Sequence, residues 1–125
     1  NPQILENGNL LLFDNGQTES ATDNRTSRVA EYRLDYNSKT AELVWEYKPS
    51  FANDRRSGAG SVQVLSNGNL LIGWGFPGTV GKLPENYKYP IFSEVDRAGN
   101  IVRTLTSTKN LVSYRVQFVE NTKEP

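Results

Sequence analysis

The chain has 125 residues, and its 14 Lys and Arg balance its 14 Asp and Glu, so no broad electrostatic attraction to nucleic acid or to an anionic membrane is implied. It contains no Cys and no His, which excludes disulfides, thiolate and imidazole metal sites, a cysteine nucleophile and a Ser-His-Asp triad. A hydrophobic share of 36% is enough for a packed core and too much for disorder, and no stretch approaches the roughly 18 apolar residues of a membrane helix.

The first element is a hairpin around Asn7-Gly8-Asn9-Leu10-Leu11, and the same five residues return as Asn67-Gly68-Asn69-Leu70-Leu71, an offset of 60. The flanks repeat as well: Ile4-Leu5-Glu6 corresponds to Val64-Leu65-Ser66. Asn-Gly accepts the positive φ angles of a two-residue type I′ turn, so each copy is expected to be a tight hairpin. Next comes a polar stretch from Gln17 to Ser27, and then two alternating runs. Ala30, Tyr32 and Leu34 alternate with Glu31, Arg33 and Asp35; Ala41, Leu43, Trp45 and Tyr47 alternate with Glu42, Val44 and Glu46. The period of two predicts a pair of half-buried strands joined by the polar turn Tyr36 to Thr40.

The second unit follows the same plan. Val62 and Val64 lead to the second hairpin, and Leu70, Ile72 and Trp74 share one face beyond it. Phe92 to Asp96 then runs through Arg97-Ala98-Gly99-Asn100 into Ile101 to Leu105. Glu94 stands 63 residues after Glu31 in an equivalent place. No window holds an unbroken helical stripe, so the chain is all-β, with four strands per unit.

Four-stranded antiparallel units at this period predict two blades of a β-propeller, over residues 1–60 and 61–112. Residues 113–125 place Tyr114, Val116 and Phe118 on one face of a further strand, which would begin a third blade or close the ring beside the first. A propeller closes with about four to eight blades. The chain is therefore expected to be a fragment of a larger propeller or one of several copies that complete each other. The remaining blades or those copies are its expected partners.

Candidate site residues are few. Asp14 interrupts an apolar strand just where the other copy carries Gly73; a turn-forming role is favoured over a site role. Arg28 opens an alternating strand after the polar loop, and could direct its guanidinium into the ring channel toward an anion or form an ordinary loop salt bridge. Equivalent placement favours a blade-to-blade structural role for Glu31 and Glu94 over a catalytic pair. Arg55 and Arg56, which precede Ser57-Gly58, read as solvated loop charge before an anion site. Asn24-Arg25-Thr26 is a glycosylation acceptor if the protein is exported by a glycosylating cell. Nothing calls for a cofactor or a metal.

Phe13-Asp14-Asn15-Gly16, then Ser27-Arg28-Val29-Ala30-Glu31-Tyr32-Arg33-Leu34-Asp35 and Leu43-Val44-Trp45-Glu46-Tyr47, resemble the late blades of the arylsulfotransferase family. Gly60 to Gly75 and Ser93 to Val102 continue the likeness. The resemblance implies a six-bladed propeller, exported to the periplasm, the cell surface or the exterior. Its implied activity is transfer of a sulfuryl group from one phenolic ester to another phenol through a channel histidine. This chain has no histidine, so no catalytic residue carries over and the chain alone is expected to be inactive. Two classes stay open: part of a sulfotransferase acting on a phenolic sulfate, or a non-catalytic propeller module for binding or structural assembly at the cell exterior.

Overall fold

The computed structural model describes residues 2–16, 26–49, 57–77, 89–107 and 113–119, and among these there are ten strands and no helix. In the first unit β1 (Gln3–Ile4), β2 (Leu10–Asp14), β3 (Arg28–Asp35) and β4 (Thr40–Tyr47) form one antiparallel sheet in chain order. A two-stranded ribbon of β5 (Ser57–Gly58) and β8 (Phe76–Pro77) flanks the second unit. That unit is a sheet of β6 (Ser61–Val64), β7 (Leu70–Gly73), β9 (Tyr89–Val95) and β10 (Ile101–Ser107), ordered β10-β9-β7-β6. The all-β architecture with four strands per unit is therefore as expected, and each sheet has the form of a propeller blade.

The sheets pack face against face. Leu11, Phe13, Val29 and Tyr47 of the first meet Val62, Leu70, Ile72, Trp74 and Val95 of the second in one buried cluster. Strand pairing explains why those residues share a face. Phe13 pairs with Val29, which pairs with Tyr47, and Leu11 pairs with Glu31, which pairs with Trp45. Trp74 is the largest buried side chain, with its ring 5.9 Å from Phe13 edge to face and 6.3 Å from Tyr47.

The hairpins depart from the type I′ expectation. Gly8 N–H donates to Leu5 O at 2.9 Å and Leu5 N–H donates to Asn9 O at 2.8 Å, and the second unit repeats both bonds at Leu65, Gly68 and Asn69. Only the glycine of each pair has positive φ, +82° at Gly8 and +83° at Gly68. This is a three-residue loop, a type I turn closed by a glycine bulge. Asn7 and Asn67 stay at negative φ because each side chain accepts a backbone bond instead, from Asn9 N–H and Asn69 N–H at 3.0 Å. Asp96-Arg97-Ala98-Gly99-Asn100 makes the same turn.

The alternation along the fourth strand is also broken. Glu31 pairs with Trp45 but Tyr32 with Leu43, so Val44 is an extra residue and Leu43 and Trp45 face opposite sides. The second blade has one of its two bulges at the matching place: Glu94 pairs with Arg103 and Val95 with Ile101, leaving Val102 extra, while a second leaves Ile91 extra. Residues 113–119 lie along the second sheet but make no ladder with it. Their backbone is held by side chains of β6 and by Gly60 N–H, which donates to Tyr114 O at 3.2 Å.

Two glycines separate backbone strain from packing. At Gly68 an added Cβ meets nothing, so Gly68→Ala is expected to cost only the left-handed backbone penalty, about 1–2 kcal/mol. At Gly60, φ +109°, a Cβ would lie 2.4 Å from the Phe13 ring. Gly60→Ala should add an overpacking cost of about 1–3 kcal/mol. Urea denaturation of the two variants checks the order, and equal losses would refute it.

Candidate functional site

Two clusters of charged side chains stand out, on opposite faces of the first blade. The first follows from the hairpin. Glu31 Oε1 accepts from Asn9 Nδ2 at 2.7 Å and Asn7 Nδ2 at 3.5 Å, so the carboxylate at the middle of β3 ties down its own blade's turn. Its other oxygen accepts from Arg97 Nη1 of the second blade at 2.6 Å. The Arg97 guanidinium also lies 5.3 Å from the Trp45 ring centroid, and Trp45 Nε1 donates to Arg97 O at 3.1 Å. The chemistry is a clasp between sheets, with cation–π and ion-pair contacts on one arginine. The blade-to-blade role read for Glu31 matches this geometry.

Glu94 repeats half of the pattern. Asn69 Nδ2 and Asn67 Nδ2 donate to its Oε1 at 2.7 and 3.2 Å, but the cation on Oε2 is Arg103 of the adjacent strand, not a residue of another blade. Burial pushes the Glu31 carboxyl up, yet the bonds from Asn9 and Arg97 outweigh it and hold the group below its ordinary range. Glu94 is held low chiefly by Asn69, against its own burial.

The second cluster contains Asp14, read chiefly as a turn former, and Arg28, read as an anion contact or an ordinary salt bridge. Asp14 and Arg28 are register partners at the ends of β2 and β3, and so lie on the face opposite Phe13 and Val29, turned away from the second blade. Counting from the hairpin, Asp14 is the counterpart of Trp74 and not of Gly73. Arg28 Nε donates to Asp14 Oδ2 at 3.0 Å, Nη1 to Glu46 Oε2 at 2.7 Å and Nη2 to Tyr32 Oη at 3.2 Å. Lys48 Nζ lies 3.0 Å from the other Glu46 oxygen. Burial pulls the guanidinium down, but the bonds to Glu46 and Asp14 outweigh it and raise Arg28 above its usual value. Asp14 also forms the turn read for it, its Oδ1 accepting from Gly16 N–H at 2.9 Å.

Glu46, Tyr32 and Lys48 were not legible as site members. Glu46 and Tyr32 belong there because Ala30 pairs with both Leu12 and Glu46, which brings the third and fourth strands' outward residues beside Arg28. An arginine has five N–H donors. Among the described residues one donor on each nitrogen is engaged, which leaves two for an anion. Asp14, Glu46 and Tyr32 together fix the position of the guanidinium.

Asn24, Arg55 and Arg56 lie outside the described residues. Among the described residues, no three His, Cys, Asp or Glu converge as metal ligands, and no helix is long and apolar enough to cross a membrane.

Comparison with known families places these elements in context. The family model described as Arylsulfotransferase (ASST) matches residues 1–124. No curated protein matches the chain at a significant level.

The Glu31 clasp has a pH signature. A carboxyl held below its ordinary value of 4.5 contributes stability that is complete above that value and is lost as pH falls through the lowered one. Glu31→Gln keeps an acceptor for Asn9 but removes the charge facing Arg97. Its urea midpoint is expected below wild type at pH 7, with the gap closing from about pH 4.5 downward. A gap of constant size across that range would show that the charge is not what Arg97 responds to.

Proposed function

The chain belongs to the arylsulfotransferase family, and from that premise we propose that it contributes two blades to a propeller that transfers sulfuryl groups between phenolic compounds. The observation that carries this reading is the family match over nearly the whole chain. In the proposed reaction a nucleophile bonds to the sulfur of a phenolic sulfate as the S–O(aryl) bond breaks, and the aryl oxygen leaves with a proton. An acceptor phenol then bonds to the same sulfur, loses its proton and frees the nucleophile. The nucleophile proposed for this reaction is a histidine, and since this chain has none it would be supplied elsewhere in the protein. The role proposed for this chain is placement of charge: Arg28 offers its two remaining N–H donors to sulfate oxygens while Asp14 holds Nε and sets the fork's direction.

The same family premise supports an exported setting, in the periplasm, at the cell surface or beyond it. A second reading, a non-catalytic propeller module for binding or assembly, is favoured by one specific observation. Arg28 and Lys48 are matched by Asp14 and Glu46, so the cluster is neutral as it stands.

The two readings separate in an assay of the complete protein with 4-nitrophenyl sulfate and a phenol acceptor. Transfer is expected, with Arg28→Ala lowering turnover by about 10²-fold, the effect of removing one charge-stabilising donor, and leaving the thermal midpoint within a few degrees. The 125-residue chain alone should transfer nothing. Wild-type turnover in the Arg28→Ala protein would remove Arg28 from the site, and no transfer by the complete protein would favour the module.

A further inference from the structure

The segment 113–119 is where the described residues carry more than the site accounts for. Its sequence continues a pattern already used twice. Val116-Gln117-Phe118-Val119-Glu120-Asn121 aligns with Val62-Gln63-Val64-Leu65-Ser66-Asn67 and with Pro2-Gln3-Ile4-Leu5-Glu6-Asn7. In all three copies a glutamine is followed by two apolar residues, one polar residue and an asparagine.

The glutamines have a common use. Gln3 of the first blade extends its carboxamide to the second blade, where Nε2 donates to Val62 O at 3.1 Å. Gln63 of the second blade also reaches the main chain of the segment that follows, two positions farther along, at Phe118 where Gln3 meets the residue equivalent to Val116, and it does so twice: Nε2 donates to Phe118 O at 3.1 Å and Oε1 accepts from Phe118 N–H at 2.8 Å. Two residues earlier Ser61 Oγ donates to Val116 O at 3.1 Å and accepts from Val116 N–H at 3.0 Å. The carboxamide and the hydroxyl satisfy alternate residues of an extended chain, which is the spacing of one strand edge. Gly73 completes the seat, because any Cβ there would meet Val116 at 3.0 Å.

The contacts decide between a third blade and closure on the first. Segment 113–119 is held chiefly by β6 and packs on Gly73, both of the second blade, on the face turned away from the first blade's cluster, with one further bond from Gly60 N–H at the junction of the two units to Tyr114 O at 3.2 Å. It thus stands to the second blade as β6 stands to the first. Phe118 at 47% and Val119 at 74% exposure are apolar side chains that the further strands of such a unit would cover.

We propose that residues 113–119 are the first strand of a third repeat unit, and that Gln3, Gln63 and Gln117 are register-reading residues, each binding the main chain of the first strand in the unit that follows. Gln117 is then the binding element for the extended backbone of a fourth unit's first strand. The partner is recognised by a free carbonyl and N–H on alternate residues and not by side-chain identity. A one-residue slip of that strand would turn its apolar face outward, so the glutamine sets which face each unit presents to the next.

Hydrogen exchange of the 125-residue chain, read at single amides, tests this. The Phe118 and Val116 amides are expected to be protected although no ladder strand covers them. Gln63→Ala should speed exchange at Phe118 by about tenfold, the scale of one lost hydrogen bond, with less effect at Val116. Ser61→Ala should show the reverse preference. Amides of β3 and β9 serve as the internal check that each variant is folded, and Gln63→Asn, whose shorter reach cannot span the same gap, is the alternative if Gln63→Ala fails that check. Gln117→Ala should leave both amides unchanged. Free exchange at Phe118 in the wild type, no response to either Gln63 variant, or loss of protection in Gln117→Ala would each overturn the proposal.

Discussion

Burial of Trp74 between Phe13 and Tyr47 is the contact on which the relation of the two sheets depends. An aromatic side chain removes roughly 150–250 Å² from water, and edge-to-face geometry adds to that; here the indole is 1% exposed. Its one polar atom must be satisfied in such a place, and Nε1 donates to Ser93 Oγ at 3.0 Å. Ser93 is itself completely buried and shares its hydroxyl with Thr104 of the next strand. Thus the polar end of the tryptophan is anchored inside its own sheet, and only its apolar surface faces the neighbour. The interface between blades can then be apolar at its centre, with the Glu31–Arg97 pair confined to the turn end.

That confinement has a physical reason. A carboxylate 8% exposed would be costly alone, and two asparagines of the hairpin meet its first oxygen while the arginine meets the second. Because the hairpin and the carboxylate recur together, the second blade carries the same buried acid at Glu94 with its asparagines in place. The cation differs because the strand position that holds Trp45 in the first blade holds Arg103 in the second. One repeat therefore solves the buried charge across an interface and the other within its own sheet.

The repeat, the all-β class and the four strands of each sheet were legible because they rest on identity at fixed spacing and on a period of two, whereas the two-residue strands of the β5–β8 ribbon are too short to show a period and the run expected as a strand at 113–119 makes no ladder. The turn type was not legible. Asn-Gly is compatible with both a two-residue and a three-residue loop, and what decides is whether Leu5 O is met by Gly8 N–H, a property of strand register that no dipeptide encodes. The bulges at Val44 and Val102 were hidden for a related reason: an inserted valine keeps the run hydrophobic while reversing the faces. The third glutamine copy was obscured by Thr122 and Lys123 standing where the earlier copies have Gly and Asn. Of the candidate site, Asp14 and Arg28 were visible as charges in strands. Their partners Glu46 and Tyr32 are visible only once pairing across three strands is known.

The exchange of Trp74 for Asp14 at one repeat position carries the functional argument further than either residue does alone. The second blade presents Leu70, Ile72 and Trp74 to its neighbour, and the same positions in the first blade present Leu10, Leu12 and Asp14. The change is confined to the end of the strand beside Arg28, while the two leucines keep the apolar character nearer the hairpin. If this face served only to pack another blade, an aromatic residue would suit it as it does in the second. A charged fork at that one end, braced from three directions by Asp14, Glu46 and Tyr32, replaces apolar contact with directed N–H groups. Bracing of this kind fixes a guanidinium before any ligand arrives, so little side-chain freedom remains to be lost on binding. The same rigidity would serve a structural ion pair equally well, since a half-buried guanidinium N–H calls for an acceptor such as Tyr32 in either role.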